Sequence, residues 1–268
     1  MRTILITGAT SGLGRFLARR LAAPGVRVIV HGRDPARLRE TVAEVTELGG
    51  QAEGVLADLS GLRAVEAMAD ELVERFDRLD ALVNNAGIGY GRPGAGRQES
   101  EDGVELRFAV NYLAGFHLTR RLLPLLRVGA PARVVNVASA GQHPVDFDDP
   151  MLIRGYSARR AYGQSKLAQI MFTFDLAEEL AGEGVRVNAL HPATLMDTGM
   201  VGEAGIAPVS SLEEGGAATL RLVNDLGGVT GRYFDGSRDS RADPQAYDPK
   251  ARARLRALSD ELVRAALG

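Results

Sequence analysis

The 268-residue sequence predicts a single α/β domain spanning residues 1–268. A doubly wound parallel sheet of about seven strands, with helices on both faces, is the expected architecture. Three observations carry that reading. Short runs rich in Val, Ile and Leu recur along the chain with helix-period segments between them, the pattern of strands buried on both faces. The glycine-rich stretch "TGATSGLG" stands between the first such run and the first helix. Hydrophobic residues make up 45% of the chain, enough for one substantial core, and no linker or repeat divides it.

"TILIT" (3–7) reads as the first strand, followed by the glycine turn and a helix through Leu21. "GVRVIVHG" (25–32) is the second strand; Asp34 then offers an N-cap and Pro35 the first position of a helix toward Leu48. "AEGVLADLS" (52–60) gives strand three, with a helix through Phe76. "DALVNNAG" (80–87) is strand four, followed by a glycine-rich loop and a long helix from about Glu101 to Leu123. "ARVVNVASA" (132–140) is strand five, and an irregular Asp-rich insert leads to the helix "YGQSKLAQIMF" (162–172). "GVRVNALHP" (184–192) is strand six; Ser211 and Glu214 form a capping-box pair for another helix. "GRYFDG" (231–236) suits a short last strand, and Asp248-Pro249 opens a closing helix over 248–266.

The formal net charge of −2 gives no general pull toward nucleic acid or an anionic membrane. There is no cysteine, which excludes disulfides and thiolate metal sites. His31, His117, His143 and His191 are scattered without ligand-like spacing, so no metal site is expected. "MRTILITG" runs directly into a strand, and no apolar run approaches the ~18 residues of a spanning helix. A cytoplasmic protein acting on a small molecule, with no nucleic-acid or membrane partner, is the expectation.

Two features carry chemistry. Gly8, Gly12 and Gly14, spaced G-x-x-x-G-x-G, would let a diphosphate approach the backbone at a helix N-terminus. An ordinary glycine-rich strand–helix turn would look the same in isolation. Tyr162 and Lys166, four residues apart, share a helix face with Cβ atoms roughly 5–6 Å apart. Two amphipathic side chains on a half-exposed helix would satisfy that spacing; so would a phenol tuned by an ammonium. Ser139 at a strand end and Asn111 inside a helix have equally plain structural readings when taken alone.

The glycine turn together with "ADLS" containing Asp58, "NNAG" (84–87), Asn111, "VVNVAS" ending at Ser139, Tyr162/Lys166 and "NALHPAT" resembles the short-chain dehydrogenase/reductase family, in the family's order over nearly the whole chain. The resemblance implies a single-domain Rossmann fold and hydride transfer between a nicotinamide and a carbonyl or alcohol carbon. It implies Tyr162 as the acid–base residue, Lys166 as its electrostatic partner and ribose ligand, and Ser139 on the substrate oxygen. Asn111 would position a water leading protons from Lys166 to solvent. Lowering a phenol by about 3 pKa units requires roughly 4 kcal/mol, for which Lys166 and the bound cofactor's positive ring are the available sources. Cofactor contacts are implied at Gly8, Thr10, Ser11, Gly12, Leu13, Gly14, Asp58, Leu59, Asn85, Ala86, Gly87, Pro192 and Thr194, besides Tyr162 and Lys166.

At the end of strand two, where an acid would bind the ribose diol, the chain has Gly32 and then Arg33, a fork suited to a 2′-phosphate. NADP(H) is therefore expected over NAD(H), with Asp34 either pairing with Arg33 or capping its helix. Pro192-Ala193 replaces the family's Pro-Gly, which bears on the nicotinamide contact attributed to Thr194. "AYGQSKLAQIMFT" and the long 140–160 insert look like the retinol-dehydrogenase-like branch, with Gln169 where asparagine is usual. Residues 195–211 suit a substrate lid in which Met196, Met200 and Ile206 either line a pocket or pack on the body. An uncharged, moderately lipophilic substrate is favoured, although the charged insert would suit a polar one. A catalytically silent nucleotide sensor and a sugar-nucleotide epimerase or dehydratase are the competing readings. Monomer, dimer and tetramer all remain open.

Overall fold

The Val-, Ile- and Leu-rich runs form eight strands of one sheet, in a computed structural model that describes residues 1–92, 94–224 and 227–268. In chain order they are β1 (Arg2–Ile6), β2 (Val26–Gly32), β3 (Gln51–Leu56), β4 (Ala81–Asn84), β5 (Ala132–Val137), β6 (Val185–His191), β7 (Arg232–Asp235) and β8 (Arg238–Ser240). Their order across the sheet is β3-β2-β1-β4-β5-β6-β7-β8. All neighbours up to β7 pair in parallel; β8 returns antiparallel to β7. The expected seven-strand sheet thus has an eighth strand. Its polar "RDS" lacks an apolar signature, and Gly236, at φ 58, lets the chain turn back in two residues.

Helices cover both faces. α1 (Gly12–Leu21), α2 (Pro35–Glu47) and α7 (Leu212–Asn224) pack one side; α3 (Leu62–Arg75), α4 (Ala114–Val128), α5 (Ala158–Glu179) and α8 (Pro249–Leu267) pack the other. Each fully buried Leu or Ile, such as Leu17 on one side and Leu5 on the other, contributes roughly 1.5–3 kcal/mol. Side-chain caps start several helices. Asp34 accepts from the backbone N–H groups of Ala36 and Arg37, Ser211 from Glu214, and Asp248 from Lys250. No described helix is long and apolar enough to cross a membrane.

The helix expected from Glu101 begins later. Gly103, at φ 74, and the Ser100 hydroxyl make a turn there, and Glu105 caps Phe108 N–H at 2.9 Å. Helix starts at Leu106, and Phe108–Leu113 is a π-turn that runs into α4 and places Asn111 in the wide turn. The sheet order reverses direction between β1 and β4. Their carboxyl ends therefore splay into a crevice, where ligands of doubly wound sheets bind.

Candidate active site

The glycine turn lines that crevice, and its glycines answer to steric facts. Gly8 (φ 63) lies so close to the loop after β4 that a Cβ would come 2.8 Å from the Ala86 Cα, and a Cβ on Gly14 would overlap the Gly8 carbonyl. Asn85 locks the two loops together: its Nδ2 donates to the carbonyls of Thr7 (2.8 Å) and Gly8 (3.1 Å). The Thr7 hydroxyl accepts from the N–H groups of Asn85 and Ala86, both at 3.0 Å. Ser11, the N-cap of α1, makes no side-chain cap bond, which leaves the first-turn amides facing the crevice for an anion. Leu13 and Leu59 are buried in the core, so only their backbone can meet a ligand.

His31, which sequence reasoning passed over, ties the turn to β3. Gly8 N–H donates to its Nδ1 at 3.0 Å, so the proton must sit on Nε2, which faces the Ala57 carbonyl at 3.1 Å. Burial pushes this imidazole down to about 4. At the end of β2, any side chain on Gly32 would strike Thr10, which explains why no acidic side chain stands there. Asp34 is spent on the α2 cap rather than on Arg33. Arg33 is exposed and, among the described residues, has no ion pair. Asp58 follows β3, its carboxylate held below the usual range by the Ser60 N–H.

At the carboxyl end of β5 and on α5, Ser139, Tyr162 and Lys166 converge. Gly141 N–H donates to the Ser139 hydroxyl at 3.0 Å, and Tyr233 and Gln142 both donate to the Ser139 carbonyl at 3.1 Å, fixing the strand end. Tyr162 is half-buried as a residue, yet its hydroxyl is enclosed enough that burial pushes the phenol up to about 12; its hydrogen bond with Ser139 pulls the other way. Burial pushes the Lys166 ammonium down to about 7. Its Nζ donates to the Val137 carbonyl and to Gln169 Oε1, both at 2.9 Å, and lies 5.8 Å from the Tyr162 ring centroid. In the protein alone burial outweighs the Ser139 bond; of the two sources expected to lower Tyr162, Lys166 and the bound cofactor's positive ring, the lysine is itself pushed down by burial.

Asn111 faces the same crevice, but its side chain is committed. Oδ1 accepts from Ile88 N–H at 2.7 Å; Nδ2 donates to the Ile88 carbonyl (3.1 Å) and the Ser165 hydroxyl (2.9 Å). A Cβ on Gly87 would lie 3.2 Å from Asn111 Oδ1 and 3.5 Å from Lys166 Nζ, so Gly87 keeps the approach to both open. Beneath them a buried polar chain crosses the sheet. Asn84 Nδ2 donates to Thr119 and to Asn136 Oδ1, and Asn136 Nδ2 donates to Thr173. Asn84, Asn136 and Thr7 lie inside the quoted motifs, but the sequence assigns no structural role to them there, nor to His31.

In the segment after β6, Pro192 is buried and Thr194 is exposed, its hydroxyl 3.1 Å from His191 Nε2. Thr198, rather than Thr194, lies against the glycine turn: a Cβ on Gly12 would be 3.2 Å from its methyl. Met196 packs on the α1/α2/α7 core, while Met200, on the short α6 (Gly199–Glu203), crosses to Gly89. A hollow of about 450 Å³ at the opposite ends of the strands is lined partly by Arg2, Arg78 and Asp80; Arg2 donates there to Asn224, and Arg78 to Asp80.

Comparison with known proteins agrees with this arrangement. Residues 2–207 match the short chain dehydrogenase family model. Retinol dehydrogenase 14 of Mus musculus is 36% identical over 98% of this chain and 86% of its own length. Among solved structures, the RhlG/NADP active-site complex of Pseudomonas aeruginosa superposes with a TM-score of 0.71 at 31% identity, covering 87% of this chain and 94% of that one. The 3-ketoacyl-(acyl-carrier-protein) reductase of Brucella melitensis complexed with NADH gives a TM-score of 0.69 at 26% identity, covering 87% and 96%. The chain belongs to the short-chain dehydrogenase/reductase family, in its retinol-dehydrogenase-like branch, and is an NAD(P)-dependent dehydrogenase/reductase acting between CH–OH and C=O groups.

Proposed function

We propose that this enzyme is an NADP(H)-dependent carbonyl reductase or alcohol dehydrogenase in which Tyr162 is the acid–base residue. The observation that carries the reading is the convergence of Ser139, Tyr162 and Lys166 beside an uncapped helix start at the sheet's switch point. The residues fit a nicotinamide dinucleotide. The glycines let the turn pack tightly at the end of β1, the α1 amides offer a diphosphate donors, and Lys166 keeps a third ammonium hydrogen beyond its two protein bonds. When bound, the nicotinamide supplies or accepts the hydride.

The chain's own residues do the rest. Ser139 donates a hydrogen bond to the carbonyl oxygen, polarising it and fixing its direction. Tyr162, a protonated phenol at neutral pH, passes its proton to that oxygen as negative charge develops there. Lys166 steadies the resulting phenolate. Its location, one helical turn from Tyr162 and buried, makes that interaction stronger than it would be in water.

The NADP(H) preference is supported by three facts about β2: Gly32 has no room for an acidic side chain, Asp34 is occupied, and Arg33 is exposed beside the Thr10 turn. A 2′-phosphate would find a fork there and no carboxylate at the Gly32 position that binds a ribose diol. The test is loss of NADPH absorbance with a panel of ketones, quinones and aldehydes. Turnover with NADPH, and much weaker turnover with NADH, is expected. Silence across the panel in a protein that binds NADPH would sink the reading.

A further inference from the structure

One side chain at this site is assigned no role by the reading above. Tyr90, in the loop after β4, lies against the reacting phenol: its ring centroid is 4.7 Å from that of Tyr162, with the planes at 67°, an edge-to-face contact. Its hydroxyl and the Ser139 Oγ each lie 3.5 Å from the position a Cβ on Gly141 would take, and so are no more than twice that distance apart. The Tyr90 hydroxyl makes no hydrogen bond among the described residues. Arg159, one turn before Tyr162 on α5, places its guanidinium 5.3 Å from the Tyr90 ring centroid and has no ion pair among the described residues.

The position of Tyr90 is over-determined from behind. Arg107, buried to 2% exposure, donates from Nε to the Gly89 carbonyl at 2.9 Å and from Nη2 to the Tyr90 carbonyl at 2.8 Å. Its Nη1 meets the Tyr156 hydroxyl at 2.7 Å and the buried Glu105 at 3.3 Å, and Tyr156 donates to the same carboxylate at 3.2 Å. Burying an arginine and a glutamate together, beside a half-buried phenol, is costly and does little for stability. What the cluster accomplishes is geometric: it fastens the β4 loop, the start of the π-turn and the 140–160 insert to one another. The loop so fastened presents Tyr90.

We propose that Tyr90 is a substrate-positioning residue, donating a hydrogen bond from its phenol to a second oxygen on the substrate. The substrate class that follows is a carbonyl compound oxygenated one or two carbons from the reacting centre: a hydroxyketone, a diketone or a ketoacyl group. Oxygens so placed are roughly 3–5 Å apart, within reach of two donors with the Ser139–Tyr90 spacing at ordinary hydrogen-bond lengths. A substrate with a single oxygen engages Ser139 and Tyr162 and leaves Tyr90 idle. This inference rests on the reductase reading.

The test compares benzil with deoxybenzoin, which differ by one ketone oxygen, in the wild type and in Tyr90→Phe. The ring stays, so its packing on Tyr162 stays with it. The preference for benzil, as a ratio of kcat/KM values, should fall about five- to tenfold in the variant, the worth of one neutral hydrogen bond. Taking the ratio cancels benzil's greater intrinsic reactivity. Hydrobenzoin and diphenylethanol, titrated as dead-end ligands of the enzyme–NADPH complex, read the contact without hydride transfer; the variant should weaken hydrobenzoin alone. Equal changes for both members of each pair, or none, would overturn the proposal. Hydrobenzoin binding that depends on Tyr90 without any NADPH oxidation would support the contact and sink the reductase reading instead.

Discussion

His31→Gln tests whether the glycine turn is held by a neutral imidazole. The wild-type ring accepts from Gly8 N–H at 3.0 Å and faces the Ala57 carbonyl at 3.1 Å, and burial depresses it from 6.5 to about 4. Below an ordinary histidine pKa the unfolded chain takes up a proton that the folded chain refuses. The associated stability is therefore fully present above about pH 6.5 and is lost as pH falls toward the folded value near 4. Lowering the pH from about 7.5 to about 5 should cost the wild type roughly 2 kcal/mol through this residue. Most carboxylates stay ionised across that interval, and His191, also depressed by burial, titrates in both proteins. Glutamine keeps an acceptor and a donor but does not titrate. Urea unfolding of both proteins at the two pH values gives the difference of differences. A wild-type loss exceeding the variant's by about 2 kcal/mol is expected; an excess below about 0.5 kcal/mol would refute the argument.

Three further outcomes follow from the same geometry. Arg33→Ala should cut the NADPH-over-NADH preference, measured as a ratio of kcat/KM values, by about tenfold or more, the loss of one charged contact; an unchanged ratio contradicts the phosphate-fork reading. Gln169 accepts from the Lys166 ammonium, so Gln169→Leu should lower the lysine further and move the alkaline limb of the pH–rate profile down by about one unit, while Gln169→Glu should move it up. Profiles that coincide in all three proteins would count against Lys166 acting as a charged group. Gly14→Ala would drive a methyl into the Gly8 carbonyl, so NADPH affinity measured by fluorescence titration should drop at least about tenfold; wild-type affinity would mean that the turn yields freely.

Sequence and structure agree where local chemistry decides, and part where distant residues do. Alternating buried strands and capped helices were readable from Val/Ile/Leu runs and from Asp34, Ser211 and Asp248, because each signal lies within a few residues of what it specifies. β8 and the late start of the helix before α4 were not, since a polar edge hairpin and a π-turn have no apolar period to announce them. The 140–160 insert looked irregular because its order comes from afar: Gln245 bonds both ways with Val145, and Gln142 accepts from Asp243 N–H. Tyr162, Lys166, Ser139 and the glycines stood out through spacing and family resemblance. The roles of Thr7 and Asn84, inside quoted motifs, and of His31, outside them, could not be read, because they lie in partners on other segments. The direction of the Tyr162 shift could not be read either: burial dominates it, and burial is a property of the folded neighbourhood.

The central claim is that Tyr162 moves the proton while other residues hold the cofactor. Tyr162→Phe, assayed for NADPH oxidation and titrated with NADPH in parallel, tests it most directly. The account predicts that kcat falls by about 10²–10⁴ with NADPH affinity unchanged within about threefold. Turnover retained within about tenfold of wild type would contradict it, whatever the affinity.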